Sequence, residues 1–140
     1  MSNRILGLLA VAVLVLTSRG WAQGATAKEP EADGRTLSQW VADLKAVAPQ
    51  TRNAAAYEIS GMGPAAAPAV PKLIEALDDS EASVRFPVTV ALGEIGPAAK
   101  AAVPKLKKMM DEEINDEVAA AARRALRKIQ PDAVPSEKTD

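Results

Sequence analysis

The feature that most constrains this chain is a phrase it repeats. Gly63-Pro64-Ala65-Ala66 followed by Val70-Pro71-Lys72-Leu73 returns about 33 residues later as Gly96-Pro97-Ala98-Ala99 and Val103-Pro104-Lys105-Leu106. Ala91-Leu92-Gly93-Glu94-Ile95-Gly96-Pro97 returns in turn, about 34 residues on, as the apolar skeleton of Ala125-Leu126-Arg127-Lys128-Ile129-Gln130-Pro131. A fixed period of this length belongs to arrays of stacked helical units, in which no unit can bury its apolar face alone. The expected fold is therefore all-α, a short α-solenoid of three stacked antiparallel helix pairs.

Composition supports that architecture and removes most chemistry. The chain has 140 residues, enough for one domain. Apolar residues make up 48% but aromatics only 3%, so the core must be built from Ala, Val, Leu and Ile, whose small side chains let helix axes approach. Cys and His are both absent, which excludes disulfides, thiol nucleophiles, imidazole bases and Cys/His zinc sites.

Residues 1–22 read as a signal peptide: Arg4, an apolar run from Ile5 to Leu16, then Gly20 and Ala22 as the small residues before a cleavage point after Ala22. The rival reading is a retained anchor, but a membrane-crossing helix needs about 20 apolar residues and this run is shorter. The expected location is periplasmic or secreted in a bacterium, with no stable membrane insertion after cleavage. Loss of Arg4 and Arg19 leaves 15 basic residues against 18 acidic ones, and this mild acidity gives no global electrostatic case for nucleic acid.

Residues 23–35 are polar and without apolar period, and are expected to form a flexible linker; residues 132–140 read as a disordered tail. Between them, over 36–131, lie six helical segments. Thr36 is the expected cap of the first, whose inner face is Leu37, Trp40, Val41 and Leu44. Val70, Leu73, Ile74 and Leu77 repeat that face. Pro49, Pro71 and Pro104 fall where helices can start, whereas Pro87 sits about a turn inside the fourth helix, where a proline would normally kink the backbone but is here expected to fall early enough to be tolerated.

Val84-Arg85 followed by Ala91-Leu92-Gly93-x-Ile95-Gly96 resembles the second helix of a HEAT repeat, and more closely the short HEAT-like repeats of phycocyanobilin lyase subunits. The resemblance spans about Thr36 to Pro131 and implies scaffolds and partner-binding modules more than any reaction. It also implies that the arginine at this position pairs with an acidic residue of an adjacent unit. Ala119 stands where the first two units have Arg52 and Arg85, so such a ladder should stop before the last helix.

Arg52 and Arg85 have two readings: an anion-binding row, or ion pairing between neighbouring helices with Asp78, Asp79 or Glu81. Arg123, Arg124, Arg127 and Lys128 cluster on the last helix, either as a docking patch for an acidic partner or anionic membrane or as the polar outer face of a terminal unit. Tyr57 and Phe86 lie off the inner rows, as partner anchors or as packing between units. The acidic run Asp111, Glu112, Glu113, Asp116 and Glu117 lacks the glycine-centred spacing of a calcium loop.

Ser38, Ser60, Ser80 and Ser83 have no His to activate them, and no glycine-rich phosphate loop follows a strand. The expected function is a non-enzymatic scaffold or adaptor that takes no cofactor and no metal. It would bind another protein along the second helices through Arg52, Asn53, Tyr57, Arg85, Phe86 and Thr89, with the basic last helix as a further surface. An accessory subunit resembling a bilin lyase component and a spacer with no specific partner are the alternatives.

Overall fold

A computed structural model describes residues 28–134. The expected signal peptide, most of the expected linker and residues 135–140 lie outside the described residues. Among the described residues six α-helices follow one another: α1 (Leu37–Asp43), α2 (Pro49–Gly61), α3 (Val70–Ala76), α4 (Ala82–Ile95), α5 (Val103–Glu112) and α6 (Asp116–Ile129). Each expected helical segment is present, and the chain is mostly helical.

The helix starts follow local chemistry. Thr36 caps α1 as expected, its hydroxyl accepting from the Gln39 N–H while the Gln39 side chain accepts from the Thr36 N–H at 2.9 Å. Pro49, Pro71 and Pro104 sit in the first turns of α2, α3 and α5, where no N–H is required. Asn115 caps α6 by accepting from the Glu117 and Val118 N–H groups.

The repeated Gly-Pro phrase forms two 3-10 turns, Gly63–Ala69 and Gly96–Ala102, which carry the chain from one unit into the next. Gly63 and Gly96 open them at φ of 56° and 76°, a region that a Cβ strongly disfavours.

Helix α4 is the centre of the molecule. It packs against α2 on one side and α6 on the other, with α3 also against it, while α1 packs on α2 and α5 on α6. One continuous apolar cluster results, running from Leu37 and Trp40 through Ile59, Leu73, Val88 and Leu92 to Leu126 and Ile129. Gly93 belongs to this packing rather than to a turn. A Cβ there would lie 3.0 Å from the Ala125 Cα, so α4 and α6 touch through glycine and alanine.

Two corrections arise at the ends. Residues 31–36, expected in part as linker, form an antiparallel hairpin of β1 (Glu31–Ala32) and β2 (Arg35–Thr36). Its two-residue turn is Asp33-Gly34, both at positive φ, the arrangement that hairpin twist favours. The hairpin is fastened to α1: the Trp40 indole N–H donates to the Ala32 carbonyl at 3.0 Å, and the Arg35 guanidinium lies 4.0 Å over the Trp40 ring. At the other end, Pro131–Ala133 adds a 3-10 turn, and Ala133 and Val134 pack on the core, so the expected tail begins as ordered structure.

Candidate partner-binding face

The first two units place an arginine at the start of the second helix, and both do the same two things. The Arg52 guanidinium donates to both carboxylate oxygens of Asp79, at 2.6 and 2.9 Å, and to the carbonyls of Ala46 and Val47, each at 2.9 Å. Arg85 repeats this with Glu113, at 2.9 and 2.7 Å, and with the carbonyls of Asp79 and Ser80 at 2.8 and 3.1 Å. Each guanidinium therefore clamps the loop of its own unit and holds the loop of the next. The bidentate fork suits this double task, which an ammonium could not perform.

The carboxylates are satisfied from a second side. Asp79 accepts from the Glu81 N–H at 3.0 Å and Glu113 from the Asn115 N–H at 3.1 Å. Hydrogen bonds from Arg52 and Arg85 hold the Asp79 and Glu113 carboxyls below their ordinary range, against the opposing effect of burial. Four of the five N–H donors of each arginine are taken up inside the molecule, so the pair does not form an open anion row. They join successive units.

Two further candidates are structural. Thr89, expected at a binding surface, is fully buried, and its hydroxyl donates to the Arg85 carbonyl at 2.8 Å. It is covered because α4 lies between α2 and α6, leaving little of its circumference to solvent. Asn53 donates its amide to the Ser83 carbonyl at 2.5 Å. Ser83 stands four residues before Pro87, whose missing N–H leaves that carbonyl without its helical partner. The Asn53 amide supplies the missing bond, which is how a continuous α4 accommodates an internal proline.

What remains open is smaller and more apolar than expected. Tyr57 on α2 is 48% exposed. Phe86 and Val90 on α4 are half-buried, and Phe86 also packs against the core. Between α4 and α6 runs a shallow cleft of about 70 Å³ lined by Val90, Gly93, Glu94, Ala121, Arg124 and Lys128. Arg123, Arg124, Arg127 and Lys128 are all exposed. Lys128 reaches back to Glu94 on α4 at 2.5 Å, whereas Arg123 and Arg124 form no ion pair among the described residues.

On the opposite edge a larger cleft of about 330 Å³ lies beside the clamp, lined by Leu77, Asp78, Arg85, Lys105, Met109 and Glu113. Its charges are already paired, Lys105 bonding Asp78 at 2.5 Å and the Ile74 carbonyl at 2.9 Å. No cluster of three acidic side chains that could hold a metal occurs among the described residues.

The arginine clamps thus join successive units at a period of 33–34 residues. HEAT repeats match residues 37–127. The chain belongs to the HEAT-repeat family. Comparison with curated proteins returns no match. The HEAT match covers α1 to most of α6, Trp40 included, and leaves out the hairpin that carries Arg35. HEAT repeats generally mediate contacts between proteins, which directs attention to the exposed part of the second helices.

The partner of Arg85 was outside the set expected from sequence. Glu113 is the counterpart of Asp79 at the same offset of 34 that relates α4 to α6, so the repeat contained the signal. The bond from Asn53 had no such signal, since the first unit alone has asparagine there.

Proposed function

We propose that this HEAT-repeat chain is a non-enzymatic adaptor, exported from the cytoplasm, that binds another protein along the outer face of its second helices. In this reading its six helices form three antiparallel pairs stacked into a short solenoid. The clamps at Arg52 and Arg85 set the angle between pairs, and α2, α4 and α6 together offer one surface.

The observation that carries the reading is the exposed ring of Tyr57, with Phe86 and Val90 half-open on the neighbouring helix. Aromatic side chains at the centre of a contact supply a large share of binding energy, and nothing inside the molecule requires Tyr57 to face water. The anchors are Tyr57, Phe86 and Val90, with Arg124 and Lys128 as the polar rim. Arg52, Asn53 and Arg85 support the surface from beneath.

A photoreactive amino acid replacing Tyr57 in the native host tests this. The expected result is one discrete adduct, absent when the group replaces Gln50 and lost when Phe86→Ala is added with helical circular dichroism unchanged. Equal labelling from both positions would overturn the assignment. Fractionation of the same cells, with the amino terminus of the adduct determined, tests export and cleavage after Ala22.

A further inference from the structure

From Asp116 to Arg124 the outer face of α6 has an internal symmetry of charge, which Arg127, further along the same face, does not join. Asp116 and Glu117 occupy its first turn, Ala120 its middle, and Arg123 and Arg124 its second half. All four charged side chains are exposed. They share the side of the helix opposite the buried Val118, Ala122, Ala125 and Ile129. Asp116 and Arg124 are equidistant in sequence from Ala120, and so are Glu117 and Arg123.

Within one helix these opposite charges are six to eight residues apart, beyond the three- or four-residue spacing at which side chains meet. None of the four forms an ion pair among the described residues. The helix dipole accounts for acids near the start and bases near the end. It does not account for their placement about a small central residue.

We propose that α6 is the interface of a two-fold symmetric dimer, its occupant a second copy of the same helix running antiparallel. Turning one α6 about an axis through Ala120 sets Asp116 against Arg124 of the other copy and Glu117 against Arg123, and the two-fold repeats both pairs. Ala120 meets its own counterpart, and its small side chain permits the ~8–10 Å axis separation of packed helices. Such a face is self-complementary, as a closed two-fold contact requires. The paired helices also oppose their dipoles. Lys128 stays with Glu94, and Tyr57 and Phe86 stay available, so of the residues assigned to the adaptor surface only Arg124 is shared with the dimer.

One helix from each copy buries less than the ~1,200 Å² of a standard stable interface, so the dimer is a weak one that responds to concentration and salt. Sedimentation equilibrium of the protein as isolated from its host should show reversible monomer–dimer behaviour. The dissociation constant should rise about tenfold or more between ~0.02 and ~0.5 M salt, as screening shortens the reach of exposed charges.

A variant with Arg123→Glu and Arg124→Glu should be monomeric, as should one with Asp116→Lys and Glu117→Lys, each keeping its helical signal. Mixing the two should restore association as a one-to-one heterodimer. A monomeric wild type at the highest concentration in low salt would overturn the proposal. So would a mixture that stays monomeric while both variants are folded.

Discussion

Arg52 and Arg85 are consumed by the molecule, whereas Arg123 and Arg124, which also belong to second helices, project from it. The first pair each bind two carbonyls of their own loop and a carboxylate of the next unit. The second pair form no ion pair among the described residues. The difference is one of position in the array. An arginine at the start of a second helix always has its own loop beside it, and has a following loop except in the last unit. An arginine on the outside of α6 has no following unit among the described residues. Composition cannot tell these apart; register within the repeat can.

The largest expected effect tests whether this division is energetic. Arg85→Ala strands Glu113 with part of its hydrogen bonding and frees two loop carbonyls, and should lower unfolding stability by about 2 kcal/mol. Arg123→Ala with Arg124→Ala should change it by no more than about 0.5 kcal/mol, since only exposed charge is removed. Urea denaturation of the two variants measures both, and equal losses would end the distinction.

The same comparison extends to pH. Asp79 and Glu113 have carboxyls held below their ordinary range by Arg52 and Arg85. Their contribution is therefore complete above the usual carboxylate pKa and is lost as pH falls through the depressed folded values. In Arg85→Ala the Glu113 carboxyl loses the guanidinium that depresses it, so the decline in stability on acidification should be shallower than in the parent chain.

How far the sequence revealed all this depends on whether a feature repeats. The helices' inner rows and the first-turn prolines Pro71 and Pro104 were legible because each is stated at least twice at a fixed offset, and Pro49 was legible from the break it makes after the first helix. Glu113 was legible in principle, through Asp79. The hairpin was not read, although Asp33-Gly34 is a strong turn signal, because strands of two residues leave no alternation to detect. Thr89 was misplaced for a different reason. Whether a side chain on α4 is exposed depends on how much of its circumference α2 and α6 cover together, and no single helix pattern contains that.

An intermediate effect concerns Asn53, whose role is visible only beside Pro87. Asn53→Ala should cost about 1 kcal/mol by leaving the Ser83 carbonyl without its donor. In a Pro87→Ala background that carbonyl regains a helical N–H, so the same substitution should cost clearly less. The two changes are thus coupled in a double-mutant cycle measured by denaturation. Additivity would mean that Asn53 acts elsewhere than on Ser83, and would return it to the list of partner-facing residues.

The smallest effect is the most specific about what a clamp is. Ala119→Arg places a guanidinium at the third repeat position, within reach of the carbonyls of its own loop at Glu113 and Ile114, equivalent to Asp79 and Ser80. Among the described residues no fourth unit offers a carboxylate. If the worth of Arg85 lies in joining one unit to the next, the new arginine should alter stability by less than about 0.5 kcal/mol, the range of ordinary surface substitutions. If clamping the loop of its own unit is the larger part, the variant should gain stability comparable to what Arg85→Ala loses. Asn115 already caps α6 by accepting from two N–H groups, a task no side chain performs at the starts of α2 and α4. The last loop is thus held without an arginine, and the expected result is the small change.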